Sequence, residues 1–289
     1  MTQLNLENVT IPRHKAALKR QELSLPMAAA VNEGILLPHH AHLDYGCGRG
    51  DDVRFLQAMG FRSRGYDPYY FPRTLKKAAD VVTLLYVLST IEVPVLRCEV
   101  LYRAYQLARQ TLVVSAITGR STNHMGIPYS DGVITRWGTF EKCYSHTELK
   151  HLIEDTLGIP ARYLAHNTYI VSQNSKALPL IIHSSDRSYL AKCRSLLHSQ
   201  QQELQSAWIP PADAIIEKHS SIQKGKRYYY FRLKSRSRSL PNGKLTMHLG
   251  NATNECYLDA VQAMERRDLL RINERRLLRI EAILDGMSE

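Results

Sequence analysis

The stretch that most constrains this chain is Asp44-Tyr45-Gly46-Cys47-Gly48-Arg49-Gly50, which follows the short strand-like run His42-Leu43-Asp44-Tyr45. A strand that ends in an acid and turns through three glycines into a helix brings bare backbone close to a ligand, with amides and a helix N-terminus facing it. Asp51-Asp52 opens that helix, Val53, Leu56 and Met59 recur at helical spacing, and Gly60 closes it. Glycine-rich turns also serve phosphates and plain tight turns, so the order of residues matters. A dinucleotide loop reads G-x-G-x-x-G, whereas this one reads D-x-G-x-G-x-G.

Elements alternate on either side of the loop. Arg62 to Asp67 is a second strand, and Asp80 to Leu88 is an apolar, β-branched run of the kind buried in parallel sheets. Glu99 to Arg109 is an amphipathic helix and Thr111 to Ala116 another buried strand. Ser145 to Leu157 is a helix with a capping box from Ser145 and Glu148, and Ala161 to Ser172 supplies the closing strands. This predicts an α/β fold over residues 41–175, a Rossmann-like doubly wound sheet with helices on both faces, led in by a basic, mostly helical segment over 1–40. The 289 residues leave room for a further small α+β module at 180–289. No apolar run is long enough to cross a membrane, and no apolar leader opens the chain. Five scattered cysteines, none in a C-x-x-C pair, predict no disulfide framework, no metal site and a reducing, cytoplasmic setting.

Asp67, in Gly65-Tyr66-Asp67-Pro68, ends the second strand 23 residues after Asp44, where a carboxylate can accept from both hydroxyls of a ribose. The glycine-loop order is similar to that of the S-adenosylmethionine (SAM) site in class I methyltransferases. This similarity implies SAM as cofactor: Asp44, Tyr45, Gly46, Cys47, Gly48 and Gly50 around its methionine end, Asp67 and Pro68 at the ribose, and Leu85 and Tyr86 on the adenine or reaction side. Only 13 residues separate Asp67 from Asp80, which leaves little room for another strand. The tetrapeptide of DNA amino-methyltransferases and the Pro-Cys of cytosine-C5 enzymes are both missing, so the methyl acceptor is not specified. The loop Tyr129 to Lys142 offers Asp131, Thr135, Thr139 and Lys142, with Tyr86, as groups to position or deprotonate an acceptor; a structural loop suits it equally. Arg13, His14, Lys15, Lys19 and Arg20 suit a lid, a phosphate clamp or a solvated face.

A narrower resemblance covers about residues 11–175. Arg13-His14-Lys15, Leu23-Ser24-Leu25-Pro26, the glycine loop with Asp51-Asp52, Gly65-Tyr66-Asp67-Pro68-Tyr69-Tyr70, Ile91-Glu92, Tyr129-Ser130-Asp131-Gly132 and Gly138-Thr139-Phe140-Glu141-Lys142 resemble the DNA phosphorothioation-associated methyltransferases. The resemblance implies a bacterial DNA-modification setting and partner proteins of such a system.

The net charge is +11, and its placement is uneven: Lys218 to His248 holds nine basic residues and no acidic one. Lys224, Lys226, Arg227, Tyr228, Tyr230, Arg232, Lys234, Arg236 and Arg238 interleave cations with tyrosine there, a pattern suited to nucleic acid, DNA ahead of RNA. Alternation puts Tyr228, Tyr230 and Arg232 on one face of a strand and Tyr229 and Phe231 on the other. Arg227 to Leu233 and Lys244 to Leu249 are predicted to form a hairpin, followed by an arginine-rich helix or helical pair over 254–284. Two rival readings stand beside a nucleic-acid methyltransferase. One is a degenerate methyltransferase fold that binds SAM or nucleic acid without turnover; the other is a small-molecule methyltransferase.

Overall fold

The computed structural model describes residues 11–118, 126–173, 180, 186–223, 226–237 and 240–287. The chain divides into two compact units, Met1–Ser185 and Asp186–Glu289. In the first, a six-stranded sheet is built from β1 (Ala41–Tyr45), β2 (Arg62–Tyr66), β3 (Ala79–Leu85), β4 (Ala108–Ser115), β8 (Arg162–Tyr163) and β9 (Thr168–Ser172), in the order β2-β1-β3-β4-β9-β8. β2, β1, β3 and β4 run parallel, and β9 and β8 close the sheet antiparallel. The fold is therefore Rossmann-like, mixed only at its far edge. No strand lies between β2 and β3 among the described residues, consistent with the short interval after Asp67.

Alternation along each strand sorts side chains to two apolar layers. Val81 and Val113 point toward α1 (Leu25–Asn32) and α2 (Asp51–Ala58), meeting Met27, Ala30 and Leu56. Val82, Leu84, Leu112 and Val114 point toward α3 (Pro94–Leu107) and α4 (His146–Leu157), meeting Leu101, Ala104, Leu149 and Ile153. The capping box of α4 forms as its sequence requires: the Glu148 amide donates to Ser145 Oγ at 3.1 Å and the Ser145 amide to Glu148 Oε2 at 3.4 Å. Among its described residues the lead-in holds less helix than its sequence suggests, a short 3-10 turn at Arg13–Ala16 and α1. It is part of the first unit, since Met27 and Ala30 are fully buried in its core. The segment read as a loop over 129–142 is a small antiparallel sheet of β5 (Ile127–Tyr129), β6 (Gly132–Ile134) and β7 (Phe140–Glu141).

The second unit runs α5 (Arg187–Gln205), β10 (Ile215–Gln223), β11 (Lys226–Lys234), β12 (Thr246–Gly250) and α6 (Glu255–Gly286). The expected hairpin is thus a three-stranded antiparallel sheet, and the C-terminal helix is continuous. No helix of the described residues is long and apolar enough to cross a membrane.

Candidate active site

The strand order reverses direction on either side of β1, so the crevice beyond the carboxyl ends of β1 and β3 is the topological switch point where ligands bind in such sheets. The glycine loop leaves β1 into this crevice. Gly46, Gly48 and Gly50 all have left-handed φ (+87°, +52° and +77°), which explains the glycines. Close approach explains them too: a Cβ on Gly46 would lie 2.4 Å from Val87 Cγ2, and one on Gly48 3.0 Å from the Ala17 methyl.

The loop's amides are largely spent on the protein itself. Gly46 and Cys47 donate to the Tyr66 carbonyl at 2.7 and 3.0 Å, Gly50 donates to the Cys47 carbonyl at 3.0 Å, and Gly48 donates to Asp67 Oδ2 at 3.2 Å. Asp67 Oδ1 accepts from the Tyr69 and Tyr70 amides at 2.9 and 3.0 Å, so its carboxylate locks the β2 turn to the loop while Oδ2 keeps acceptor capacity. Asp44 is 4 % exposed and accepts from Thr83 Oγ1 at 2.7 Å. Burial pushes its carboxyl up to about 7; the Thr83 hydrogen bond opposes this, and the charges of Asp52 and Asp67 add to it. Four carboxylates, Asp44, Asp51, Asp52 and Asp67, therefore gather about one loop. A pyrophosphate would meet few open amides and much negative charge there. A cation with a ribose would meet the acceptors it needs.

A buried polar chain leads into Asp44. Ser63 Oγ lies 2.8 Å from His42 Nδ1, and His42 Nε2 lies 3.0 Å from Thr83 Oγ1. Burial pushes His42 down to about 3, aided by the charge of Arg64, so the imidazole is neutral. With Thr83 donating to Asp44, the consistent tautomer has Nε2–H donating to Thr83 and Nδ1 accepting from Ser63. His42 and Thr83 escaped the sequence reading. The signal was present, since His42 precedes Asp44 by two and so shares its face of β1.

The other sequence-predicted residues fall in varied places. Tyr45 turns to the opposite face of β1, packing on Tyr66 at a centroid distance of 5.2 Å. Cys47 packs against Gly65, where a Cβ would meet its sulfur at 2.6 Å, and burial with the nearby Asp44 and Asp67 pushes its thiol up. Pro68 is exposed, and Leu85 is half-buried on the α1/α2 face. Tyr86 follows β3 in a left-handed conformation (φ 62°), unusual for a bulky residue, with its amide donating to the Ser115 carbonyl and the Arg20 guanidinium 5.5 Å over its ring.

Asp131 and Lys142 stand together, Thr139 lies at the other end of the small sheet, and all three are occupied. Asp131 takes a bidentate pair from the buried Arg97 of α3 at 2.6 and 2.7 Å and a contact from Lys142 at 3.3 Å. Lys142 also pairs with Glu148 at 2.6 Å, and Thr139 Oγ1 lies 2.8 Å from Thr135 Oγ1. These groups fasten the small β5-β6-β7 sheet to α3 and α4.

Residues 11–24 form a strap beside the glycine loop. Arg13 pairs with Glu92 in a fork at 2.6 and 2.8 Å, His14 stacks on Tyr69 at 3.8 Å, and Tyr70 donates to the His14 carbonyl at 3.0 Å. Arg49 donates to the Ala17 carbonyl at 3.1 Å. Asp51 accepts from the Arg20 amide and Asp52 from the Ser24 amide, both at 2.7 Å.

Fold and loop together define a Rossmann-like α/β protein with an acid-lined glycine loop at its switch point. No family model matches the chain, and no curated protein is similar to it in sequence. Solved structures with a similar fold include magnesium protoporphyrin IX methyltransferase from Synechocystis PCC 6803 with bound S-adenosylhomocysteine, at 14% identity and a TM-score of 0.36 over 55% of this chain and 91% of that one. A SAM-dependent methyltransferase from Methanosarcina mazei is 12% identical, with a TM-score of 0.36 over 50% and 96%. A SAM-bound amino pentose methyltransferase from Micromonospora echinaspora is 14% identical, with a TM-score of 0.33 over 58% and 99%. In the second unit Lys226, Tyr228, Tyr230, Arg232 and Lys234 share one face of β11, while Arg227 alternates to the other and Arg236 lies beyond the strand. Lys224 and Arg238 lie outside the described residues.

Proposed function

We propose that the first unit is a SAM-dependent methyltransferase domain that acts on nucleic acid, DNA ahead of RNA, within the DNA phosphorothioation setting that the sequence resemblance implies. The observation that carries this reading is the donor set of the glycine loop: carboxylates where a pyrophosphate would need amides, and a buried acid at the floor. SAM bound there supplies an electrophilic methyl group on a sulfonium. Asp44 faces the cationic methionine end, and Asp67 accepts from the ribose hydroxyls. The left-handed turn at Tyr86 holds that residue at the mouth of the crevice. Alignment for in-line displacement supplies much of the rate, and a base is needed only where the acceptor must lose a proton. The cationic, tyrosine-rich β11 supports nucleic acid as the acceptor class. The test is transfer of labelled methyl from SAM to plasmid DNA, transfer RNA and protein extract, with label expected in DNA. Label in protein alone would overturn the acceptor.

A second reading, binding without turnover, is favoured by one observation: Asp131, Thr139 and Lys142 are held in ion pairs and hydrogen bonds rather than presented to a substrate. Under that reading no acceptor is labelled while SAM still binds.

The Asp44 carboxyl gives the cofactor assignment a pH signature. Its ionised form attracts the ammonium of the methionine end, so SAM affinity is expected to rise from pH 6 to pH 8 and then level off, following a group at about 7. In the ligand-free protein the sign reverses. The folded state holds a proton that the unfolded chain releases near 3.8, so stability falls as pH rises from there to about 7. Asp44→Asn should flatten both profiles, in calorimetric titration and in thermal unfolding; an unchanged affinity profile removes Asp44 from the site.

A further inference from the structure

In the second unit one face of the sheet packs on α6, while on the other Lys226, Tyr228, Lys234 and His248 are exposed and Tyr230 and Arg232 half-buried among the described residues. Ile216, Phe231, Leu233, Met247 and Leu249 pack on Tyr257, Ala260 and Met264 of α6. Residues of opposite parity face away from the helix: Lys226, Tyr228, Tyr230, Arg232 and Lys234 on β11, with Ser221, His219 and Glu217 opposite them on β10 and His248 opposite Arg232 on β12. Every side chain that β11 turns to this face is a cation or a tyrosine.

The rings form a row across the three strands. His219 and Tyr230 are stacked at a centroid distance of 5.5 Å and 16°, and Tyr230 and His248 are 5.5 Å apart at 49°. The Arg232 guanidinium lies 5.4 Å over the Tyr230 ring. Glu217 is the one carboxylate of these strands; it lies 3.4 Å from both Lys234 and His219, and the Lys234 ammonium balances its charge. Such a row suits a polyanion whose flat apolar groups are accessible. A duplex keeps its base faces stacked inside and offers a surface sheet only phosphates and groove edges. A single strand offers both phosphates and open base faces.

We propose that this open face binds single-stranded nucleic acid, with unpaired bases stacked on the His219–Tyr230–His248 row and phosphates held by Lys226 and Arg232. The proposal deepens the reading of the chain as a nucleic-acid methyltransferase and rests on it for the class of polymer. It also says in what form the acceptor is held: as an unpaired segment.

The test uses the full chain and fluorescence anisotropy with a labelled unstructured DNA strand of about 20 nucleotides, longer than one stacking platform needs, and with its blunt duplex. The strand is expected to bind at least about 10-fold more tightly than the duplex, with affinity falling steeply as salt rises. Tyr230→Ala is expected to weaken strand binding by about 5- to 150-fold, the range for loss of one base–aromatic stack. Tyr230→Phe keeps the ring and should bind nearly as the parent does, which separates stacking from misfolding. SAM affinity, read by calorimetry, should be the same in all three proteins. Duplex binding as tight as strand binding, or Tyr230→Ala without effect, overturns the stacking surface and leaves nucleic-acid methylation standing. Absence of binding to either DNA overturns both.

Discussion

Gly46→Ala is expected to be among the most damaging single substitutions in the first unit. Two costs combine at this position. The backbone sits at φ +87°, which a side chain makes unfavourable by about 1–2 kcal/mol. The new methyl would also lie 2.4 Å from Val87 Cγ2, so Val87 or the loop must shift; such overpacking costs about 1–3 kcal/mol. Together they amount to roughly 2–5 kcal/mol, which in a unit of this size lowers Tm by roughly 5–20 °C. Gly60 supplies the control, having the same φ of +87° with nothing within 4 Å of its would-be Cβ. Gly60→Ala should show only the backbone cost, and Val87→Ala should recover part of the loss in the Gly46→Ala background but not in the Gly60→Ala background. Equal losses at the two glycines, read by thermal unfolding, would mean that Val87 does not press on the loop.

The second large effect is on ligand affinity. Asp67→Ala removes the carboxylate that the proposed site uses to accept from two ribose hydroxyls, and hydrogen bonds to a charged group contribute about 1.5–3 kcal/mol each. SAM affinity is expected to fall by about 100-fold or more, measured by calorimetry on the free protein. The same change releases the amides of Gly48, Tyr69 and Tyr70, so a modest fall in Tm should accompany it. Asp67→Asn separates the two roles. Its amide oxygen can still serve Tyr69 and Tyr70, but its NH₂ then faces the Gly48 N–H, two donors without an acceptor. Unchanged SAM affinity in Asp67→Ala would remove the ribose assignment whatever happens to stability.

What the sequence made legible is local. The capping box of α4, the turn to α2 and the position of Asp67 after β2 each follow from residues within a few places of one another, and each forms as read. β10 was not legible because Ile-Ile-Glu-Lys-His-Ser-Ser-Ile-Gln mixes polar and apolar residues on both faces, only Ile216 of them joining the apolar cluster under α6. The small sheet over 127–141 was read as a loop because its strands are two or three residues long. Its anchor, Arg97, lies 34 residues before its partner Asp131, a pairing that no local pattern announces. Asp51 and Asp52 look, in sequence, like acids favouring a helix N-terminus. In the fold they also take hydrogen bonds from Arg20 and Ser24, which only the strap's path across the crevice reveals.

That path has a bearing on how the protein can be shortened. Asp51 and Asp52 are 6 % and 8 % exposed, and residues before α1 supply the N–H and O–H groups that compensate them. A version beginning at the first strand would uncover two acids beside Asp44 and strip them of the donors from that side, with the Arg54 pair to Asp51 remaining. Residues 11–24 behave, in effect, as a counterpart to the acids they cover, and belong to the site as much as to the scaffold.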